Sequence, residues 1–201
     1  MSGSQSTVFG RPREFDPDQA LERAMQVFWA RGYDGTSLTD LTGAMGITKS
    51  SMYAAFGNKE QLFRKAVQRY AEGPAAYVTR ALREPTARAV AETFLRGAVR
   101  TTTSPGRPTG CLSVQGALPL SEQSRPAHDV LVDWRNDAGD QLEARFRRAA
   151  EEGDLPPDAD PGRLARYIMT TGFGIAVQAA NGLEPDTLDE IVDTALLAWP
   201  A

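Results

Sequence analysis

Apolar residues recur every three or four positions along most of the chain, which is the spacing of one face of an α-helix. Breaks at Gly and Pro residues divide this pattern into about nine segments. None of these segments alternates apolar and polar residues as a half-buried β-strand does. The pattern therefore predicts an all-helical protein.

The most informative pattern lies in the stretch TSLTDLTGAMGITKSSMYAAFGNKEQLF. The spacing of Leu38, Leu41 and Met45 predicts a short helix with one apolar face. Ser37 is expected to cap the start of this helix, and Gly46 is expected to end it in a left-handed conformation.

A second short helix is predicted over residues 49–56, with Thr48 as its cap and with Met52 and Phe56 on its apolar side. Asn58 is expected to cap a third, longer helix. Two short helices joined by a tight turn form a helix-turn-helix, whose second helix enters the major groove of DNA.

Several sequence blocks of this stretch fall in register with a known family. They are Gly35-Thr36-Ser37, Leu41, Met45-Gly46-Ile47, Tyr53, Phe56, and Lys59-Glu60 followed by Leu62-Phe63. Together they resemble the DNA-binding domain of the TetR family of transcriptional regulators, over the first third of the chain. The resemblance implies a homodimeric repressor that binds a palindromic double-stranded DNA operator and releases it when a small apolar or amphipathic ligand binds.

The candidates for DNA contact come from this stretch. Lys49 and Ser50 are predicted to read base edges, because they occupy the first turn of the second helix. Tyr53 and Lys59 are predicted to hold phosphate oxygens, and the start of the third helix adds a favourable dipole. The full set of predicted contacts is Thr36, Ser37, Thr48, Lys49, Ser50, Ser51, Tyr53 and Lys59. The alternative is a small helical bundle that never touches DNA.

The distribution of charge agrees with this division of the chain. The net charge is -4, but residues 1–70 hold 9 basic and 7 acidic side chains, a balance of +2, whereas residues 71–201 hold 13 and 19, a balance of -6. We predict a flexible basic arm over residues 1–13 and a helix-turn-helix domain over residues 14–58. A larger ligand-binding and dimerisation domain is predicted over residues 59–201, with its first break at Gly73-Pro74.

The C-terminal part is expected to hold an apolar ligand pocket, as the family resemblance implies. The candidate lining residues are Phe94, Cys111, Trp134, Met169 and Phe173, with Tyr77, Arg96 and His128 as possible polar anchors. Taken one at a time, each of these residues is more often ordinary core than a ligand contact, and only the whole set favours a pocket. A short helix is also predicted over residues 111–120.

The last two predicted helices carry more apolar surface than one chain requires. Residues 167–180 are apolar on nearly all sides and rich in Gly and Ala, and residues 185–199 present a second apolar face. We therefore predict that these two helices form the dimer interface, with Ala176 and Leu196 facing the partner.

Several other classes of protein are disfavoured. No apolar run reaches the length of a membrane helix, and residues 1–13 lack the apolar core of a signal peptide, so we expect a cytoplasmic protein. A single cysteine forms no internal disulfide, and no metal-binding motif or cofactor signature is present. The sequence shows no acid partner or oxyanion motif near Cys111 and His128 that would make a catalytic thiol, so we predict no enzyme. A helical carrier or enzyme, or a regulator that senses thiol chemistry through Cys111, remains the alternative.

Overall fold

The structure is a computed structural model that describes residues 15–115 and 122–200. These residues form ten α-helices and no β-strand, which confirms the prediction of an all-helical protein. The predicted arm of residues 1–13 and the second half of the predicted 111–120 helix lie outside the described residues. The helices are α1 Pro17–Arg31, α2 Leu38–Met45, α3 Lys49–Phe56, α4 Lys59–Glu72, α5 Tyr77–Ala81, α6 Ala87–Thr102, α7 Leu112–Gln115, α8 Arg125–Glu151, α9 Pro161–Ala180 and α10 Pro185–Leu197.

The predicted caps set the ends of the first helices. Ser37 and Asp40 form a capping box at the start of α2, in which each side chain accepts a hydrogen bond from the other residue's backbone N–H. Gly46 ends α2 with a φ of 69°, a left-handed conformation that glycine adopts without strain. Thr48 caps α3 by accepting a hydrogen bond from the backbone N–H of Ser51. The local sequence therefore encodes the helix-turn-helix directly.

Helices α1 to α4 pack around one aromatic and aliphatic core. Phe28 of α1 meets Phe63 of α4 edge to face, with ring centroids 4.9 Å apart. Leu41 of α2 and Met52 of α3 are fully buried against them. The first turns of α4 therefore complete the core beneath the helix-turn-helix.

Helix α4 ends where the sequence predicts a break. Gly73 follows its last residue, and a short 3-10 turn, Pro74–Ala76, redirects the chain into α5. Pro74 has no backbone N–H and cannot continue the helix.

The remaining helices surround α6 and α9. Helix α9 packs against α6, α8 and α10, and α10 also packs against α6. Arg96 of α6 ties α10 in place through ion pairs with Asp189 at 2.8 Å and Asp193 at 2.6 Å. Trp199, beyond the end of α10, lies edge to face on Phe146 of α8, with ring centroids 5.3 Å apart.

Within residues 15–115 and 122–200, no helix combines the length and the apolar composition that crossing a bilayer requires. The same residues bring no three histidine, cysteine or acidic side chains together as a metal site would.

Candidate nucleic-acid interface and ligand cavity

Helix α3 presents its polar side to solvent. Met52 and Phe56 anchor the opposite side in the core, with 0% and 6% of their surface exposed. Lys49 and Ser50 are exposed in the first turn, and Tyr53 follows one turn later with 44% of its surface exposed. An exposed tyrosine on a short, firmly anchored helix has no packing role within the chain, so this side of α3 is free to dock.

Hydroxyl groups cluster at the start of α3. The Thr48 hydroxyl lies 2.9 Å from the hydroxyl of Ser50 and 2.9 Å from that of Ser51. Ser51 is half-buried and belongs mainly to this cap, whereas Ser50 remains exposed. The Lys49 ammonium lies 6.0 Å from the centroid of the Tyr53 ring, so both residues belong to the same surface.

Lys59 begins α4 and lies over an aromatic ring. Its ammonium is 4.2 Å from the centroid of Tyr33, and the Tyr33 ring is stacked on Phe28 at 6.2 Å. Burial lowers the pKa of Lys59. Asn58 and Gln61 form a capping box at the same helix start, which leaves other N–H groups of the first turn without a partner in the helix. No pattern in the sequence pointed to Tyr33, whose ring contacts the Lys59 ammonium at the start of the helix.

Thr36 does not fit its predicted role. Only 1% of its surface is exposed, and its hydroxyl donates a hydrogen bond to the backbone oxygen of Gly32 at 2.7 Å. The side chain therefore stabilises the turn between α1 and α2 and is not available to a phosphate. Ser37 is exposed, and its hydrogen bonds lower the pKa of Asp40.

An apolar cavity lies among α5, α6, α8 and α9. The total space between its lining atoms is about 380 Å³. This space is so narrow that only about one water molecule fits into it. All five predicted residues, Phe94, Cys111, Trp134, Met169 and Phe173, line it. The other lining residues are Tyr77, Val78, Ala98, Thr102, Ser113, Ala138, Gly172 and Ala176.

Of the three polar anchors that the sequence suggests, only Tyr77 lines the cavity. Burial raises the pKa of Tyr77, so it remains a neutral phenol. Arg96 does not line the cavity, because its guanidinium is engaged by α10. His128 does not line it either. Thr102 and Ser113 take their place, and no sequence signal distinguished them from other small polar residues.

A chain of aromatic residues joins the cavity to the helix-turn-helix. The hydroxyl of Tyr70 in α4 lies 3.3 Å from the sulfur of Cys111, and its ring meets Trp134 at 6.2 Å and Trp29 at 4.9 Å. The indole N–H of Trp29 in α1 donates to the backbone oxygen of Gly110 at 3.0 Å. Helix α4 thus contacts the wall of the cavity directly, and α1 contacts Gly110, the residue before Cys111.

Helices α9 and α10 leave an apolar strip at the surface. Its largest members are Tyr167, Val177, Ile191 and Leu197, with 38%, 46%, 36% and 85% of their surface exposed. Ala176 and Leu196, which we expected to face a partner, are only 3% and 5% exposed and pack within their own chain. The expectation for these two residues is wrong because they lie on the inner sides of the helices.

Two family models match the chain. One describes bacterial regulatory proteins of the tetR family and matches residues 20–66, and the other describes a tetracyclin repressor-like C-terminal domain and matches residues 88–194. The second alone spans more than half of the chain.

Individual proteins are similar over nearly the whole length. The HTH-type transcriptional repressor ComR of Escherichia coli is 32% identical over 193 residues, which cover 95% of this chain and 92% of ComR. The HTH-type transcriptional repressor BdcR of Escherichia coli is 28% identical over 98% of this chain and 94% of BdcR.

A solved structure shares both fold and sequence. It contains a cysteine-substituted form of the TetR family transcriptional regulator CifR with 26-base-pair double-stranded operator DNA. The two chains are 43% identical with a TM-score of 0.90, over 94% of this chain and 100% of the other. The chain therefore belongs to the TetR family and is a DNA-binding transcriptional regulator, as the residues of its helix-turn-helix predict.

Proposed function

We propose that this regulator is a homodimeric repressor that binds a palindromic operator and releases it when a small apolar or amphipathic ligand enters the cavity. The observation that carries the proposal is the exposed side of α3, where Lys49, Ser50 and Tyr53 face solvent on a helix that Met52 and Phe56 anchor in the core. The repressors ComR and BdcR and the operator complex of CifR support it.

In this proposal α3 lies in the major groove. Lys49 and Ser50 reach base edges from its first turn, and Tyr53 contacts the phosphate backbone. Lys59 holds a second phosphate together with the N–H groups at the start of α4. Ser37 and Thr48 contribute through the helix starts that they cap.

The exposed strip of α9 and α10 supports the dimer. Val177 and Ile191 are large apolar side chains that a second copy would remove from water. A twofold axis places the same strip on both subunits and doubles the contacts to a palindrome. Recognition helices in successive major grooves must lie about 34–36 Å apart, and the α9–α10 pairs fix this spacing.

The narrow cavity supports release by a ligand. A molecule larger than water must displace side chains of the cavity wall, among which are Cys111 and Trp134. Both contact Tyr70 of α4, and α4 completes the core beneath the helix-turn-helix. A ligand that moves this wall therefore shifts α4, and the spacing of the two recognition helices changes with it.

The alternative functions account for fewer of these features. A thiol sensor at Cys111 requires an accessible thiolate, whereas Cys111 is only 8% exposed and lies near the hydroxyls of Tyr70 and Ser113. A helical carrier or enzyme would not require the exposed polar side of α3.

Because the proposed partner of this regulator is chromosomal DNA, we expect the protein to act in the cytoplasm.

The direct experiment is gel retardation of the DNA upstream of the protein's own gene, with a coding fragment of equal length as control. We expect retardation of the upstream fragment alone. A thermal-shift screen of small metabolites then selects ligands, and a stabilising ligand should abolish the retardation. Equal retardation of both fragments at physiological salt would contradict a specific operator.

A further inference from the structure

An open groove runs along the outside of α8 and α9, next to the apolar cavity. Its volume is about 970 Å³, and its walls carry the polar side chains of Arg135, Asp140 and Arg166. The cavity on the other side has apolar walls of α5, α6, α8 and α9. A polar groove thus borders an apolar cavity across the same two helices.

Two side chains line both spaces. Met169 and Phe173 of α9 belong to the wall of the cavity and to the wall of the groove. They are one helical turn apart, so their side chains lie one above the other on the same face. Met169 is 8% exposed and Phe173 is half-buried. The partition between groove and cavity is therefore formed by side chains that turn about single bonds.

We propose that the ligand reaches the cavity through the groove between α8 and α9, and that Met169 and Phe173 form the gate. This inference rests on the proposed function, because it names the access route to the same ligand site. Rotation of the flexible Met169 side chain and of the Phe173 ring opens the partition without displacing a helix. The cavity can then admit a molecule larger than water.

The chemistry of the two spaces indicates an amphipathic ligand. The apolar body fits the cavity, and its polar end stays in the groove among Arg135, Asn136 and Asp140. Arg135 lies at the junction, because its guanidinium donates to the backbone oxygen of Ser113, a residue of the cavity wall. Burial also lowers the pKa of Arg135. A hydrogen-bond acceptor on the ligand would meet this guanidinium at the gate.

The groove borders the exposed strip that we assign to the dimer. At 100° per residue around α9, Phe173 lies about 40° from Val177 of the strip, and Met169 lies about 80° from it. The gate therefore lies beside the proposed interface, and it is tested in the full-length dimer.

Cys111 is the single cysteine of the chain and lines the cavity, so its reaction with N-ethylmaleimide measures access through the gate. We expect Phe173→Ala and Met169→Ala to speed this alkylation. If the open state of the gate is populated at roughly 1–10%, removing the gate raises the rate by about 10- to 100-fold. Gly139→Phe should slow it, because a side chain at Gly139 enters open space on the groove wall.

The matched control is Val78→Ala, which enlarges the cavity from α5 without touching the gate. We expect its alkylation rate to stay near that of the wild type. Rates are compared below the thermal transition and divided by the rate in denaturant, which removes differences in thiol reactivity. Gly139→Phe keeps the test decisive if Phe173→Ala does not fold, because Gly139 lies outside the core.

Two results would overturn the gate. One is an unchanged rate in the folded gate and groove variants, and the other is an equal acceleration in Val78→Ala. Alkylation does not depend on DNA, so failure of the gate is distinct from failure of the regulator. Loss of operator retardation in the wild type would contradict the proposed function and leave the measured access route standing.

Discussion

The phenol of Tyr70 donates a hydrogen bond to the thiol of Cys111, 3.3 Å away. Tyr70 belongs to α4, which completes the core of the helix-turn-helix, and Cys111 belongs to the wall of the apolar cavity. The two parts of the protein therefore meet in one buried contact. Trp29 adds a second contact through its hydrogen bond to Gly110.

We expect the two contacts to differ in their contribution to the free energy of unfolding. Tyr70→Phe removes one hydroxyl and keeps the ring, which costs about 0.5–1.5 kcal/mol. Trp29→Phe leaves the buried oxygen of Gly110 without its donor and opens a cavity, which costs about 2–5 kcal/mol. Urea unfolding measures both, with Tyr53→Phe as the control because its hydroxyl lies at the surface. If the two variants lose the same free energy of unfolding, the Trp29 hydrogen bond contributes no more than the Tyr70 hydroxyl to the contact between the two parts of the protein.

Lys59→Ala should weaken binding to all DNA sequences alike, because its ammonium is placed for a phosphate. The slope of log affinity against log salt should flatten by about one unit, since one fewer counterion is released. Tyr53→Phe removes a neutral contact and should lower affinity without changing this slope. Arg148→Ala removes an exposed charge of α8 and serves as control. If Lys59→Ala keeps the wild-type slope, Lys59 does not contact a phosphate.

The exposed strip of α9 and α10 predicts which substitutions separate the subunits. Val177→Arg and Ile191→Arg should give folded monomers, because each places an unpaired charge in the proposed interface while remaining at the surface of its own chain. Ala176→Arg should instead unfold the chain, since Ala176 is buried within it. Sedimentation measures the assembly, with Gln141→Arg as the exposed control on α8. A dimer that persists in both strip variants would locate the interface elsewhere.

The capping box of α2 predicts a dependence of stability on pH. The hydroxyl of Ser37 is the main cause of the lowered pKa of Asp40. A carboxylate whose pKa falls on folding stabilises the folded state above its unfolded pKa of about 4, and this stabilisation is lost as the pH falls through the folded pKa. Asp40→Asn should therefore be less stable than the wild type at neutral pH, and the difference should shrink in acid. A difference independent of pH would show that the charge of Asp40 has no part in the cap.

The sequence predicts the helix-turn-helix well because its signals are local. Ser37, Gly46, Thr48 and Asn58 each set a helix end through their own side chain or backbone conformation, and the structure confirms all four. The cavity lining could be anticipated only as a set of apolar residues. The apolar spacing identifies which face of each helix is buried. It does not show that the buried faces of α6, α8 and α9 meet around the same cavity.

The misplaced residues have a common cause. The prediction for Thr36 rests on the family resemblance, and those for Ala176 and Leu196 rest on the apolar composition of their helices, whereas the roles of all three depend on which side of the chain they face. Arg96 belongs to the same group, because its acidic partners lie on a helix about 90 residues later in the sequence. Tyr33 and Trp29 were missed because their partners also come from other helices, and no local pattern records such contacts.

The most direct test of the account is selection of bound sequences from a pool of random duplex DNA, followed by sequencing. We predict an enriched inverted repeat whose half-sites lie one helical turn, or a multiple of it, apart. Lys49→Ala should change the preferred bases within each half-site, whereas Lys59→Ala should retain the repeat at lower affinity. The absence of an enriched inverted repeat, or a Lys49→Ala variant with unchanged base preference, would contradict base reading by a symmetric pair of α3 helices.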